Sequence, residues 1–453
     1  MKMFGTNGIR GVANGYMSCE LALQVGKATA TVLGPGPIAI ATDTRVSSPM
    51  IRSAVSSGLM AMGVSVLNLG MIPTPALQYY VKTHEEVTGG VMITASHNPP
   101  EFNGIKCIAA DGTECTSEQE HAIEAAFEQD LSNAGWDAIG NMYSVSGADD
   151  AYVRAVVSKV DAEAIRNAHL TVCLDCANGA SVNTSPAILR ALGVKAITIN
   201  GNPDGFFPGH HSEPTEENLE ELKKLVVDTG ADLGIAHDGD ADRCVFVTGE
   251  GEFVAGDKSL ALIAGALSKQ NPGAEIVTTV ATSAVVEDYV SSCGGHVVYT
   301  AVGSPIVARR MMEDGGIFGG EENGGLIFAD HQYCRDGGMA AARVLEAVAT
   351  YGSLQVLVES LPKYYTVKDA VKCTDDIKAR ITDVIAANHE GENINRVDGL
   401  RIDYDDGWVL LRPSGTEPKY RIYSESRDEE VAERRSAEFR KEFEDTAASM
   451  APQ

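Results

Sequence analysis

Three times along this chain a largely apolar run of four to six residues gives way to a polar turn, a helical stretch, a glycine and a second apolar run. The first copy runs from Ile38-Ala-Ile-Ala41, through Ser48 to Met62, then Gly63 and Val64 to Leu69. The second runs from Leu170 to Leu174, through Ser185 to Leu192, then Gly193 and Val194 to Ile199. The third runs from Glu275 to Val280, through Ser283 to Ser292, then Gly294-Gly295 and His296 to Thr300. Each glycine falls where a helix C-terminus favours left-handed backbone. Strand, helix, strand at this spacing is a βαβ unit, and a right-handed crossover makes its strands parallel. Three such units, more than 100 residues apart, predict three related α/β domains rather than a solenoid, whose period is shorter. Ligands in open α/β sheets sit beyond the carboxyl ends of the strands, so three sheets facing one centre predict a shared central cleft.

The C-terminal part is patterned differently. Leu400-Arg-Ile-Asp-Tyr404 and Trp408-Val-Leu-Leu411 predict a hairpin turning at Asp406-Gly407. Tyr420 to Ser424 predicts a further strand, Glu429 to Phe443 a charged amphipathic helix, and the tail from Ala447 a frayed end. The expected fold is therefore α/β: three similar mixed-sheet, βαβ-containing domains and a smaller α+β C-terminal domain around one cleft. Their expected bounds are residues 1–150, 151–252, 253–365 and 366–453. The Gly-, Pro-, Asn- and His-rich segment from Gly201 to Pro214 reads as an ordered loop.

Composition narrows the function classes. The 453 residues are 44% hydrophobic, globular rather than disordered. The longest apolar candidate, Leu260 to Leu267, is far short of the ~20 residues of a membrane span. The N-terminus lacks the basic, apolar and small-residue regions of a secretory signal, so a cytoplasmic location is expected. A net charge of −27, from 63 acidic against 36 basic residues, opposes nucleic acid and anionic membranes as partners. The same field repels sugar phosphates, so a phosphorylated substrate requires a local basic patch. Nine scattered cysteines fit reduced thiols. Cys173 and Cys176 form a CxxC, but residues three apart on a strand face opposite ways, which reads as two small buried hydrophobes and not as a metal or redox pair.

Four segments carry chemistry. Thr94-Ala-Ser-His-Asn-Pro-Pro100 follows the apolar strand Gly90 to Thr94 and leads to Lys106. A strand running into a Pro-rich turn presents Ser96 as a nucleophile or phosphoryl carrier, with His97 and Lys106 supplying charge or accepting a proton. The alternative is a turn whose Ser and Asn satisfy the backbone. Asp238-Gly-Asp-Ala-Asp-Arg243 places three carboxylates in one tight loop after an apolar strand. They suit Mg²⁺, and without a cation they repel one another; a solvated acidic turn is the alternative, and the spacing excludes an EF-hand. Gly319-Gly-Glu-Glu-Asn-Gly-Gly325 offers Glu321 and Asn323 to sugar hydroxyls, or is simply a glycine-rich turn. Leu411-Arg-Pro-Ser-Gly-Thr-Glu-Pro418, with Arg421 beyond it, surrounds a turn with Arg412, Ser414 and Thr416. It fits a phosphate nest or an exposed polar turn, and its spacing is not that of a P-loop.

In this order, and with the opening Met3-Phe-Gly-Thr-Asn-Gly-Ile-Arg-Gly11, the four motifs resemble the α-D-phosphohexomutase superfamily over essentially the whole chain. The likeness is nearest to archaeal members called phosphoglucosamine mutase or phosphomannomutase. The resemblance implies four domains, a phosphoserine at Ser96, and Mg²⁺ held by Asp238, Asp240, Asp242 and the Ser96 phosphate. It implies electrostatic and acid/base roles for Arg10 and Lys106 and an active-site role for Arg243. It also places Glu321 and Asn323 on a sugar-recognition loop, and Arg412, Ser414, Gly415, Thr416 and Arg421 on a clamp for the phosphate not in transfer. Phospho-Ser96 then gives its phosphoryl group to a hexose monophosphate, the bisphosphate turns over in the cleft, and the other phosphate returns to Ser96. A hexose 1,6-bisphosphate is the implied activator, and a monomer or homodimer the implied assembly.

One departure stands out. Many family members end the sugar loop in Ser-Gly-His, where this chain has Asn323, Gly324 and Gly325; His331, His210 and His211 are the candidates to replace that histidine. The FGTNGIRG opening resembles phosphoglucosamine mutases, which implies glucosamine phosphates as substrates, with mannose or glucose phosphates as the alternative. Two other classes stay open on the residues alone: a Mg²⁺-dependent phosphatase with Asp238 as nucleophile, and a silent sugar-phosphate-binding regulator.

Overall fold

The computed structural model describes residues 2–5, 7–414 and 418–450. The chain folds into two compact units, each discontinuous in sequence: Met1–Ser259 with Asn323–Val358, and Leu260–Glu322 with Glu359–Gln453. Residues of the expected third segment, 253–365, contribute to both units.

All three βαβ units form. Ile38–Thr42 pairs in parallel with Val66–Met71, Thr171–Asp175 with Lys195–Ile199, and Glu275–Thr279 with His296–Thr300. Between them lie the helices Ser48–Ala61, Thr184–Ala191 and Ala284–Ser292. The residue after each helix cap is Gly63, Gly193 or Gly294, with φ of +86°, +74° and +87°, the left-handed conformation that ends a helix at least cost in glycine.

In the first unit, a six-stranded sheet runs in the order Ile9–Val12, Phe102–Ala109, Gly89–Ile93, Ile38–Thr42, Val66–Met71, Met142–Ser144. Its central strands are parallel, and Phe102–Ala109 runs antiparallel to both neighbours, so the sheet is mixed. Ile38–Thr42 and Gly89–Ile93 are buried at every residue, which is why they read as continuous apolar runs and do not alternate. Ile38, Ile40, Val91 and Ile93 pack with Val25, Leu33, Ile51, Val55 and Leu59 of the covering helices. A second sheet runs in the order Phe253–Val254, Cys244–Thr248, Leu233–His237, Thr171–Asp175, Lys195–Ile199. The hairpin Leu326–Phe328 and Gln332–Arg335 and the helix Gly337–Tyr351 complete this unit, the helix capped by Asp336, which accepts from the Met339 amide.

Cys173 and Cys176 are both buried and in no disulfide, and burial pushes the Cys176 thiol up to about 12, consistent with small hydrophobes. Among the described residues no helix is long and apolar enough to cross a membrane.

In the second unit, Glu275–Thr279 lies between His296–Thr300 and Phe318–Gly320, parallel to both. An antiparallel sheet runs in the order Tyr365–Lys372, Lys419–Ser426, Gly407–Pro413, Leu400–Tyr404, Ile394–Asn395. Val409, Leu411, Tyr420 and Ile422 pack against Ile381 and Ile385 of one helix and Phe439 and Phe443 of another. The alternate residues Trp408 and Leu410 pack against Val280 and Ala281 on the opposite face.

Two expectations are corrected here. The hairpin turn is Asp405-Asp406, not Asp406-Gly407, because Tyr404 pairs with Gly407. Gly407 serves a close approach instead: a Cβ on it would overlap the carbonyl of Glu425 on the neighbouring strand, and its φ is +155°. Gly407→Ala is therefore expected to cost about 1–3 kcal/mol, read as a lowered melting temperature. The tail from Ala447 does not fray at once. The last helix spans Glu429–Met450, and Ala447 and Met450 pack on the core that anchors it.

Candidate active site

Three strand ends of the first unit build the site. After the apolar Ile38–Thr42 come Asp43 and Arg45; after Gly89–Ile93 come Thr94 and Ser96; after Leu233–His237 comes the Asp238–Asp242 loop.

Ser96 is buried and left-handed, with φ +52°, a conformation a serine holds only when its surroundings over-determine it. Its amide donates to Oγ1 of Thr94 at 2.8 Å, and that hydroxyl donates to Oδ2 of Asp43 at 2.7 Å. Arg45 does the rest. Its Nε donates to Asp43 (3.0 Å), Nη1 to the carbonyls of Pro99 (2.6 Å) and Phe102 (2.9 Å), and Nη2 to those of Ser96 (2.8 Å) and Asn98 (2.6 Å). All five N–H groups of a guanidinium are thereby spent, four of them on one loop. The ring of Phe207 lies 5.0 Å from this guanidinium, and Ser212 donates to the Asn98 carbonyl at 3.2 Å, so the Gly201–Pro214 loop is ordered against the Ser96 turn. Burial raises the Asp43 carboxyl, and the Arg45 charge and the Thr94 hydrogen bond work against that.

The acidic loop is not solvated. Asp238, Asp240 and Asp242 are fully buried, and one oxygen from each lies within 4.8 Å of the others. Asp238 accepts from Ser96 Oγ at 2.8 Å and from the Arg243 amide at 3.1 Å. Oδ2 of Asp240 accepts from Lys106 (2.7 Å) and Thr74 (2.6 Å). Oδ2 of Asp242 accepts from Lys106 (3.0 Å) and Arg335 (2.6 Å). The Oδ1 atoms of Asp240 and Asp242 are buried without a hydrogen-bond partner. Bare buried carboxylate oxygens are costly unless a cation takes them, and a hard, oxygen-seeking ion such as Mg²⁺ fits this donor set.

The charges are tightly coupled. Burial and the neighbouring Asp240 and Asp242 push the Asp238 carboxyl well up. Burial also acts to raise Asp240, but Lys106, Thr74 and Arg335 outweigh it and hold that carboxyl well below its usual range. Burial alone would lower the Lys106 ammonium, yet the two aspartates raise it, so Lys106 is held protonated.

Burial, then Arg243, Arg10 and Arg335, push the His97 imidazole down to about 2. His97, 3.3 Å from Ser96 Oγ, is therefore a neutral partner of the serine and does not supply charge, which corrects that part of the expectation. Burial lowers the Arg10 guanidinium to about 10, still a cation at neutral pH. Arg10 Nη1 donates to Asn98 at 2.9 Å and to the Ala95 carbonyl at 3.3 Å. Arg243 donates to Glu213 at 3.1 Å.

Ser96, His97, Arg10, Lys106, Arg243 and the three aspartates thus share one site in the first unit. Asn323, also in that unit, accepts from the Gly325 amide at 3.1 Å and shapes its own loop. Glu321, Arg412, Ser414 and Arg421 belong to the second unit. There, Arg412 donates to Asp398 at 2.6 Å, Asp398 accepts from the Val302 amide at 3.0 Å, and the next amide, Gly303, donates to Glu321 at 3.1 Å. Arg412 and Arg421 sit directly opposite each other on adjacent antiparallel strands; like charges so placed repel, and a phosphate between them would relieve that repulsion. Gly415 and Thr416 lie outside the described residues.

Two of the three histidine candidates are occupied elsewhere. His331 is buried, 3.2 Å from Asp336 and stacked on Tyr79 at 5.3 Å. His210 pairs with Asp175 at 3.1 Å, and although burial acts to lower it, that partner raises its pKa. His211 is exposed.

Sequence reasoning missed Asp43, Arg45, Thr74 and Arg335. Asp43-Thr-Arg45 did carry a signal, a charged pair directly after the apolar strand of the first repeat. Thr74-Pro75 carried another, a hydroxyl residue and proline opening a helix. Arg335 carried none, because its partner Asp242 is 93 residues away.

A strained, buried serine against a buried carboxylate triad, on repeated α/β units, defines a phosphoryl-transfer enzyme. The chain belongs to the phosphoglucomutase/phosphomannomutase family. It matches the family's alpha/beta/alpha domain I over residues 1–134, domain II over 150–251, domain III over 255–365 and the C-terminal domain over 367–442. It is 43% identical over 439 residues to the phosphoglucomutase/phosphomannomutase of Thermococcus kodakarensis, covering 95% of this chain and 96% of that one. It is 42% identical to a probable phosphoglucosamine mutase of Methanopyrus kandleri, covering 98% and 97%. A crystal structure of a family protein from Burkholderia thailandensis superposes with a TM-score of 0.88 at 27% identity, covering 99% of this chain and 98% of that one.

Proposed function

We propose that this protein is a phosphoglucosamine mutase, interconverting glucosamine 6-phosphate and glucosamine 1-phosphate through phospho-Ser96 and a sugar bisphosphate. The observation that carries this reading is the buried Ser96 hydroxyl, 2.8 Å from Asp238 and beside two aspartates with bare oxygens. The probable phosphoglucosamine mutase of Methanopyrus kandleri supports the amino sugar, and the Thermococcus kodakarensis relative supports mannose and glucose phosphates as the alternative.

Mg²⁺, held by Asp238, Asp240, Asp242 and the Ser96 phosphate, would supply charge stabilisation for the phosphoryl group in transit. The chain's own residues do the remainder. Arg45 and Asp43 hold Ser96 in line, which is where most of the rate of such a transfer originates. Arg10 and Arg243 place positive charge beside it, overcoming locally the −27 field of the chain. Lys106, held protonated between Asp240 and Asp242, adds positive charge to the transfer site and can donate, not accept, a proton. Glu321 and Asn323 read the sugar, and Arg412, Ser414, Gly415, Thr416 and Arg421 grip the phosphate that is not moving. In this reading the chain works in the cytoplasm, with residues 1–150, 151–252, 253–365 and 366–453 as its four domains and a hexose 1,6-bisphosphate as activator.

The test is turnover followed by ³¹P NMR on phosphorylated enzyme with Mg²⁺, with glucosamine, mannose and glucose 6-phosphates side by side. A preference for glucosamine 6-phosphate well over tenfold in kcat/KM, about 1.4 kcal/mol, is expected. Similar rates on all three would make it a general hexomutase. No conversion, with acyl phosphate on Asp238, would replace the mutase reading by a phosphatase.

A further inference from the structure

Gly325 closes the Gly319–Gly325 loop, and the structure shows what fills the space over it. A Cβ on Gly325 would overlap Cδ of Arg335 and lie 3.0 Å from its Cγ. The stem of Arg335 crosses the face of Gly325, and a larger residue would force that stem to shift. Beyond the glycine, Nη2 of Arg335 reaches Oδ2 of Asp242 at 2.6 Å, with both side chains almost wholly buried. Lys106 donates to the same oxygen at 3.0 Å.

The pattern repeats on the neighbouring carboxylate. Oδ2 of Asp240 is held by Lys106 and Thr74, and Oδ1 is bare; Oδ2 of Asp242 is held by Lys106 and Arg335, and Oδ1 is bare. A carboxylate with two donors on one oxygen cannot rotate without losing both charge-assisted bonds. Orientation of a ligand by donors behind it is how surroundings tune a metal site.

We propose that Arg335 is a positioning residue of the phosphoryl-transfer site: passing over Gly325, it grips Oδ2 of Asp242 and so presents Oδ1 of Asp242, beside Oδ1 of Asp240, to the divalent cation. Gly325 then serves the reach of Arg335. This rests on the mutase reading only for the role of the cation, not for its ligands.

The opposing effect is plain Coulomb repulsion. Arg335 is a cation close to where a cation binds, so removing it would tighten the site if charge were all that mattered. The two effects have opposite signs, and a direct affinity measurement separates them.

The experiment is a Mn²⁺ titration by electron paramagnetic resonance on the full chain without sugar phosphate, comparing wild type with Arg335→Met, Arg335→Lys, Gly325→Ala and the double variant Gly325→Ala/Arg335→Met. Circular dichroism and melting temperature confirm that each is folded. Arg335→Met and Gly325→Ala are each expected to weaken Mn²⁺ binding about tenfold. Arg335→Lys should recover part of the loss, because an ammonium keeps the charge without the fork. The double variant should be no weaker than either single one, since both act through one contact. Unchanged or tightened Mn²⁺ binding in folded Arg335→Met would overturn the proposal, as would strictly additive losses in the double variant. Should wild type fail to turn over any hexose phosphate, the mutase reading falls while the Mn²⁺ series still decides this one.

Discussion

Ser96→Ala is expected to abolish turnover, with a loss in kcat on the order of 10⁶, as when the nucleophile of a concerted catalytic set is removed. The size follows from the proposed function, in which the serine carries the group being moved and the neighbouring side chains are arranged around it. Its Oγ donates to Asp238 at 2.8 Å and lies 3.3 Å from His97, so Asp238 is the competing acceptor that the variant tests. Intact-mass spectrometry provides a second reading. Wild type incubated with hexose 1,6-bisphosphate should gain the mass of one phosphoryl group, and Ser96→Ala should not. The fold should survive, because alanine gives up only the hydroxyl. Residual phosphorylation on Asp238 in that variant would refute the serine carrier.

Arg45→Met is expected to cost about 3–5 kcal/mol of stability, the range for a buried ion pair deprived of one partner. Four carbonyls of the Ser96 loop lose their donor at the same time, so kcat should fall steeply as well. Arg45→Lys should recover little, since one ammonium cannot face four carbonyls and a carboxylate in the plane that the guanidinium fork defines.

The defect has a pH signature. Burial already raises Asp43, and Arg45 is the first of the groups opposing that. Without Arg45 the folded-state pKa of Asp43 rises further above its unfolded value. A carboxyl raised on folding binds more protons in the native state, so stability falls as pH climbs from the unfolded toward the folded pKa. The gap between variant and wild type should therefore be smaller near pH 5 than near pH 8, measured as melting temperature across that interval. A constant gap would mean that Asp43 stays charged and finds another partner.

These two residues mark the boundary of what the sequence makes legible. Ser96 and the three aspartates stand out because each follows a wholly apolar strand and precedes a turn, so local pattern alone isolates them. The βαβ units are legible for the same reason, with glycines marking where helices end. Arg45 carries a local signal, a charged pair with Asp43 after an apolar strand, but what it holds lies 51 residues away; Arg335 carries none, its partner lying 93 residues away. His97 misleads in the opposite direction: a histidine beside a serine suggests charge chemistry, and only its burial, with the cations around it, shows that it stays neutral. The misplaced hairpin turn has a similar cause. Asp-Gly is the expected turn pair, but here the glycine answers to the carbonyl of Glu425, on a strand that arrives later in the chain.

The discontinuity of the first unit bears on how the protein is made. Asp242 leaves the ribosome 93 residues before Arg335, a delay of about 5–20 s at ordinary synthesis rates. Until then the growing chain carries Ser96, Lys106 and all three aspartates with one cation fewer than the finished cluster, in an interior still lacking the segment Asn323–Val358. A stalled chain of 322 residues would hold nearly every catalytic side chain and still be an unfinished body, so chaperone contact and proteolytic loss should concentrate on nascent chains shorter than about 360 residues.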